Sequence, residues 1–402
     1  MQSNSANYIL NVDWLSIRGS HNLDLAKQNF AGKEWRDMVA AWEKSCADKS
    51  AREIVRDQAD MFTGVLQHTI GNCILDVQPY GTRQYLVLFH VYIGRELFGY
   101  LQVWPRTSVL HPQSFNLKVA NMWLYQPDVW TQLAYVCGAL KLAPSAISRL
   151  DLAADFNTFV NDLHPEHFIA MFVRGQIRHK GRSDGMVHFR PLSPAECKGA
   201  DYRDRVKFNA LTFGKHSSDA HCYLYNKTLE LEEQTKKPWI EECWSQAGLD
   251  PSDVWRLEFS LKSDALRFAD RNTGDIVEFN LSNLTASEPA YSMRDLYFAM
   301  LHSLFFFYYP TGQKNVSRER EIDLFGDEVT IDRAIFRESN PSTRAERIML
   351  KNLFTIRKRY RNITCAEEFR SRMLGQHLAH TMRLEDWYIE KQGYWAKEKL
   401  KV

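Results

Sequence analysis

Polar and apolar residues alternate with period two along several short stretches of the chain and recur near period 3.6 along others, so strands and helices intermix. Residues 8–17, reading YILNVDWLSI, are β-rich and predict a first strand of the main sheet. Trp35, Met38, Val39 and Trp42 follow at helical spacing. The segment QYLVLFHVYIGRELFGYLQVW holds two β-rich runs joined around Gly94 and Arg95, which predicts a hairpin. A helical pattern spans residues 115–142. Residues 147–156, 221–227 and 254–261 then read as three further strands, with a helix starting at Pro165 and a polar stretch, RHKGRSDGMVHF, between the first two. From about residue 290 the pattern turns to long helical runs without clear strands. Residues 296–309 form an apolar run broken by His302, short of the roughly 20 apolar residues a membrane span requires, and predict a buried helix. The expected class is α+β: an antiparallel-rich sheet with flanking helices over residues 1–290, and a helical C-terminal region over 291–402 that would bind DNA or a partner.

Within each of the three later strands, residues two apart share a face. SRLDLAAD puts Arg149, Asp151 and Asp155 together while Leu150 and Leu152 point to the core; CYLYNK aligns Tyr223, Tyr225 and Lys227; WRLEFSL aligns Arg256, Glu258 and Ser260. If the three strands are neighbours, one face carries carboxylates, tyrosines and cations, a combination suited to phosphodiester chemistry. Oxygen donors such as Asp151, Asp155 and Glu258 suit Mg2+ or Mn2+, which polarises a phosphoryl oxygen. A tyrosine can attack phosphorus and keep the bond energy in a covalent phosphotyrosine. Lys227 would favour the phenolate, and Arg149 and Arg256 present paired donors to phosphate oxygens. The same alternation also describes any sheet with one solvated face, in which the tyrosines pack across strands and Arg149 forms a surface pair with Asp151.

Composition narrows the picture only a little. The 402 residues are 45% hydrophobic, ample for a sizeable core, and 51 Lys and Arg against 49 Asp and Glu leave a formal charge of +2. A nucleic-acid surface must therefore come from local clusters. Candidates are QIRHKGRSDG, with Arg178, His179, Lys180 and Arg182 around Gly181, and the run Arg357, Lys358, Arg359 and Arg361. The start, MQSNSANYIL, lacks the pattern of a signal peptide, and the seven cysteines form no CxxC pair, so a reducing cytoplasm and no membrane are expected. None of the 13 histidines forms an H-x-H pair, which argues against nickases that bind their metal through a His-hydrophobe-His motif. His164 with His167, and His377 with His380, are spaced by three but lack supporting ligands for zinc. His216 and His221 flank the tyrosine strand, where they would contact DNA or metal, or lie in solvent.

The order DWLS, SRLDLAADF, TFGKHSSDAHCYLYNKTLE and VWRLEFSL, spanning residues 8–261, resembles the replication initiation factor family (Rep_trans), tyrosine nickases of rolling-circle plasmids, filamentous phages and integrative conjugative elements. The resemblance implies that Tyr225, followed by Asn226 and Lys227, is the nucleophile, and that Asp151, Asp155 and Glu258 help hold a divalent metal. Asp13 enters only through the DWLS match, and Tyr223 would serve as a substitute or second nucleophile. Lys215, in the same glycine- and serine-rich segment, joins Arg149, Arg256, Arg178 and Lys180 as an expected DNA contact. The implied function is sequence-specific nicking of origin DNA, single-stranded or in a hairpin, with a 5′-phosphotyrosyl intermediate and with a helicase and a second copy of the chain as partners. A conjugative relaxase and a non-catalytic DNA-binding regulator with the same fold are the alternatives, and the region after Tyr291 carries no resemblance.

Overall fold

The computed structural model describes residues 6–326 apart from 22–66, 106–109, 181–184, 192–205, 270–275, 313–318 and a few gaps of one or two residues. The strands are β1 (Tyr8–His21), β2 (Gln67–Ile70), β3 (Cys73–Val77), β4 (Tyr85–Ile93), β5 (Glu96–Pro105), β6 (Ser114–Val119), β7 (Leu142–Phe156), β8 (Arg178–His179), β9 (Met186–Pro191), β10 (Val206–Phe213), β11 (Ala220–Asn226), β12 (Trp255–Lys262), β13 (Arg267–Ala269), β14 (Ile276–Glu278) and β15 (Phe307–Tyr308). The helices are α1 (Asn121–Leu124), α2 (Val129–Ala139), α3 (Pro165–Val173), α4 (Lys227–Glu233), α5 (Pro238–Gln246), α6 (Leu281–Thr285) and α7 (Met293–Leu304). Eleven strands form one antiparallel sheet in the order β2-β3-β4-β5-β6-β1-β7-β12-β11-β10-β9, and β13-β14 and β15-β8 are separate pairs. The α+β expectation therefore holds, with the hairpin turning at Gly94 and Arg95 as its sequence predicts.

Long β1 and β7 run side by side at the centre of the sheet. Their apolar positions, Val12, Leu15, Ile17, Leu150 and Leu152, are buried in one core with Leu133 and Val136 of α2, Phe168 and Ile169 of α3, and Tyr297 and Phe298 of α7. Tyr297 is locked there twice, by packing its ring 5.1 Å from Phe259 and by donating its hydroxyl to the Leu257 carbonyl at 3.1 Å. A smaller core, Leu231, Ile240, Trp244, Leu249 and Val254, seats α4 and α5.

Three expectations are corrected. Residues 115–142 are not one helix: SFNLKV alternates, with Phe115, Leu117 and Val119 buried and Ser114, Asn116 and Lys118 half-buried, so it forms β6 before α1 and α2. Lys227 is the first residue of α4 rather than the last of the strand. The region after 290 is neither strand-free nor separate at that point. β15 lies within it, and Leu296, Phe305 and Phe325 share the main core. The helical pattern at 35–42, Arg182, His216, the basic run at 357–361, and His377 with His380 lie outside the described residues.

Candidate active site

β7, β12 and β11 are adjacent, so the condition set by the sequence is met. Their register places Asp151 beside Ser260 and His221, Ala153 beside Glu258 and Tyr223, and Asp155 beside Arg256 and Tyr225. Directly paired residues in neighbouring strands point to the same face, so these rows form one polar surface. β1 adds a fourth acidic residue through a β-bulge: the register steps from Val12 opposite Leu152 to Trp14 opposite Asp151, leaving Asp13 as the extra residue. The bulge lets Asp13 and Trp14 both turn to the polar side while Val12 and Leu15 stay in the core. The result is a cavity of about 620 Å3 whose walls include Asp13, Asp151, Glu258, Tyr223, Tyr225 and Lys227.

Inside it, the Tyr225 hydroxyl donates to Glu258 Oε2 at 3.1 Å and accepts from Lys227 Nζ at 3.4 Å. Lys227 is held by Glu230, one helical turn on, at 2.6 Å. The Tyr223 ring stacks on Tyr225 with centroids 4.3 Å apart. Burial, then the negative charges of Asp13 and Asp151, pushes the Glu258 carboxyl up to about 7, although Arg256 and Lys227 oppose the shift. Burial and Glu258 together drive the Tyr225 phenol well up, and burial with Glu230 raises Tyr223. Burial, reinforced by the positive charge of Arg256, lowers the Lys227 ammonium. A carboxylate near neutrality, touching a phenol that also faces an ammonium, can accept the phenolic proton while the ammonium stabilises the phenolate.

Asp155 and Arg256, expected as a metal ligand and a phosphate clamp, instead stand apart from the cavity. Both side chains have 0% exposure. The Arg256 guanidinium binds Asp155 through Nε at 2.6 Å and Nη2 at 2.8 Å, and Asp13 through Nη1 at 2.6 Å. Trp244 Nε1 donates to Asp155 Oδ2 at 2.7 Å. Both oxygens of Asp155 are thus consumed by a buried brace joining β1, β7, β12 and α5, and Arg256 has no path to a phosphate. Tyr125 also bonds Asp13 and Arg256; burial pushes the Asp13 carboxyl up, but the charges of Arg256 and Lys227 and the bond from Tyr125 outweigh it and hold that carboxyl below the usual range.

Arg149 does line the cavity, paired with Asp151 at 2.5 Å and placed 4.2 Å from the Trp14 ring, which Lys118 Nζ also faces at 3.4 Å. Lys118, Trp14 and Tyr125 escaped notice in the sequence because the strand and helix patterns carrying them look ordinary. Arg178 is exposed on β8, Lys180 sits 4.6 Å from the Phe306 ring and Lys215 is exposed after β10; none of them lines the cavity. The hard oxygen donors Asp13, Asp151 and Glu258 fit a divalent cation in kind, though among the described residues no three side chains are set as a ready-made metal cluster. The described cysteines are free thiols, and no described helix is long and apolar enough to cross a membrane.

No protein-family model and no curated protein matches the chain, so the resemblance read from its motifs rests on those residues alone. Among solved structures it is similar to one titled as a rolling circle replication initiator protein from Geobacillus stearothermophilus, with 13% identity, 78% of this chain and 92% of that chain covered, and a TM-score of 0.40. A likeness that loose transfers no residue role.

Proposed function

We propose that this chain is a tyrosine-dependent, metal-assisted endonuclease that nicks one strand of DNA to initiate replication or transfer of a mobile element. The observation that carries the reading is the Tyr225 hydroxyl, held between Glu258 at 3.1 Å and Lys227 at 3.4 Å in a cavity also walled by Asp13 and Asp151. The phenolic oxygen attacks phosphorus, Glu258 takes its proton, and the bond from phosphorus to the 3′ oxygen breaks. The enzyme keeps the 5′ phosphate as a phosphotyrosine, and the 3′ oxygen, once protonated, is a hydroxyl that can prime synthesis. Lys227 neutralises charge on the phenolate and then on the phosphoryl oxygens. Arg149, turned from Asp151 to the substrate, would clamp a phosphate with paired donors. Asp13, Asp151 and Glu258 would hold Mg2+ or Mn2+, which supplies charge neutralisation at the scissile phosphate when bound.

Tyr223 supports a variant reading, because it is less buried than Tyr225 and stacks directly on it. The deciding experiment incubates the full chain with Mn2+ or Mg2+ and supercoiled plasmid carrying its own flanking DNA, then seeks a covalent 5′ adduct. We expect an adduct that disappears in Tyr225→Phe. Persistence in that variant, with loss in Tyr223→Phe, moves the nucleophile to Tyr223. Nicked DNA without any adduct replaces the covalent step by water attack, and absence of nicking leaves a DNA-binding regulator.

A further inference from the structure

A second cavity, of about 330 Å3, adjoins the first, with Asn209, Asn226 and Leu229 as the shared wall. Asn209 is the extra residue of a bulge in β10, where the register steps from Phe208 opposite Phe189 to Ala210 opposite His188. The bulge turns the Asn209 side chain between the two cavities. Its Oδ1 is buried and accepts no hydrogen bond from any described residue. A buried acceptor left without a donor is unfavourable, and such groups persist where a ligand or water supplies the missing proton.

The opposite wall is already rigid. His164 Nδ1 accepts from the Glu166 amide at 3.2 Å, so its proton is on Nε2, which bonds Asp253 Oδ2 at 2.7 Å. The other oxygen of Asp253 accepts from Asn226 at 3.0 Å and Trp255 at 3.1 Å. Glu166 and Glu232 add further acceptors, so the cavity is unsuited to a phosphate and suited to a group that donates hydrogen bonds. Arg190 and Lys207, register partners on β9 and β10, line it as well, so the cations lie at the β9–β10 side and the acceptors at the other. Half-buried Phe208 offers an aromatic surface beside them.

Resting on the nicking function proposed above, we infer that this second cavity seats the base of a nucleotide neighbouring the scissile phosphate and selects one with an exocyclic amino group, donated to Asn209 Oδ1. Cytosine presents an amino donor where thymine, of the same size, presents a carbonyl acceptor.

The test measures polarisation of fluorescein-labelled oligo(dC) and oligo(dT), each about 12 nucleotides long, so as to span a single-strand site, with the full chain and EDTA to prevent cleavage. One net hydrogen bond predicts oligo(dC) binding about 3- to 10-fold tighter than oligo(dT). Asn209→Leu removes the acceptor and should bring the ratio to about one. Asn209→Asp keeps an acceptor and should preserve the preference even if both affinities fall. Equal binding by the wild type, or a preference unchanged in Asn209→Leu, overturns the base pocket and leaves the nicking reading standing if the covalent adduct forms. No binding of either oligonucleotide and no adduct overturns both.

Discussion

Arg256 illustrates how one side chain can be read two ways from sequence and only one way in the fold. On β12 it alternates in step with Glu258, and both register partners, Tyr225 and Asp155, are polar, so nothing local marks it as buried. Burial comes from α5, whose Trp244 roofs Asp155, and from the β1 bulge that delivers Asp13. Glu258, two residues along β12, and Asp151, four residues back along β7, remain on the cavity. Removing one member of a buried pair leaves an uncompensated charge, so Arg256→Met should cost about 3–5 kcal/mol in urea unfolding. Asp151→Asn, by contrast, should abolish nicking while shifting stability by no more than about 1 kcal/mol, because its partner Arg149 is partly exposed. If instead Arg256→Met unfolds at the wild-type midpoint, the brace assigned to Asp155 and Asp13 is wrong.

The strands were legible where alternation was regular, as in 147–156 and 254–261, because a period of two fixes which residues share a face. Bulges were not legible. DWLS and KFNALTF each carry one extra residue, and only pairing with a neighbouring strand reveals that Asp13 and Asn209 are re-aimed. β6 is obscured in the sequence because its six alternating residues are too few to stand out against the helical pattern that follows them. At the far end of β1 lies His21, 4% exposed and paired with Leu142 of β7. Burial lowers its imidazole from 6.5 to about 4. The neutral ring is therefore favoured in the folded state, whereas the unfolded chain gains a proton once pH drops below 6.5. Stability contributed by this residue is present above pH 6.5 and is lost progressively down to about pH 4, by up to about 3 kcal/mol. Urea midpoints across that range should fall in the wild type and flatten in His21→Asn. An equal slope in both proteins would remove His21 as the cause.

At the scale of the whole molecule, the order of strands could not be read from the chain, since β1 joins β7 and β12 lies between β7 and β11 across long stretches of sequence. That order is what gathers Asp13, Asp151 and Glu258, from three strands, into one cavity. Arg256 and Asp155 neutralise each other beneath it and Lys227 is shared with Glu230, so Glu258, raised first by burial, is raised further by the facing carboxylates Asp13 and Asp151. A cation that binds only the folded state stabilises it by mass action, by about 2.7 kcal/mol at a hundredfold excess over its Kd. For a chain of this size that corresponds to a rise in Tm of roughly 2–4 °C. Differential scanning fluorimetry in EDTA and then in Mn2+ should show such a rise in the wild type, without any DNA present. Glu258→Gln and Asp151→Asn should lose most of it. Glu258→Gln should also melt no lower than the wild type in EDTA, because the amide carries none of the burial cost of the carboxylate. A rise that survives both substitutions would place the cation elsewhere on the chain, and no rise in the wild type would remove the metal from the proposed chemistry while leaving Tyr225 and Lys227 to be judged by the covalent adduct.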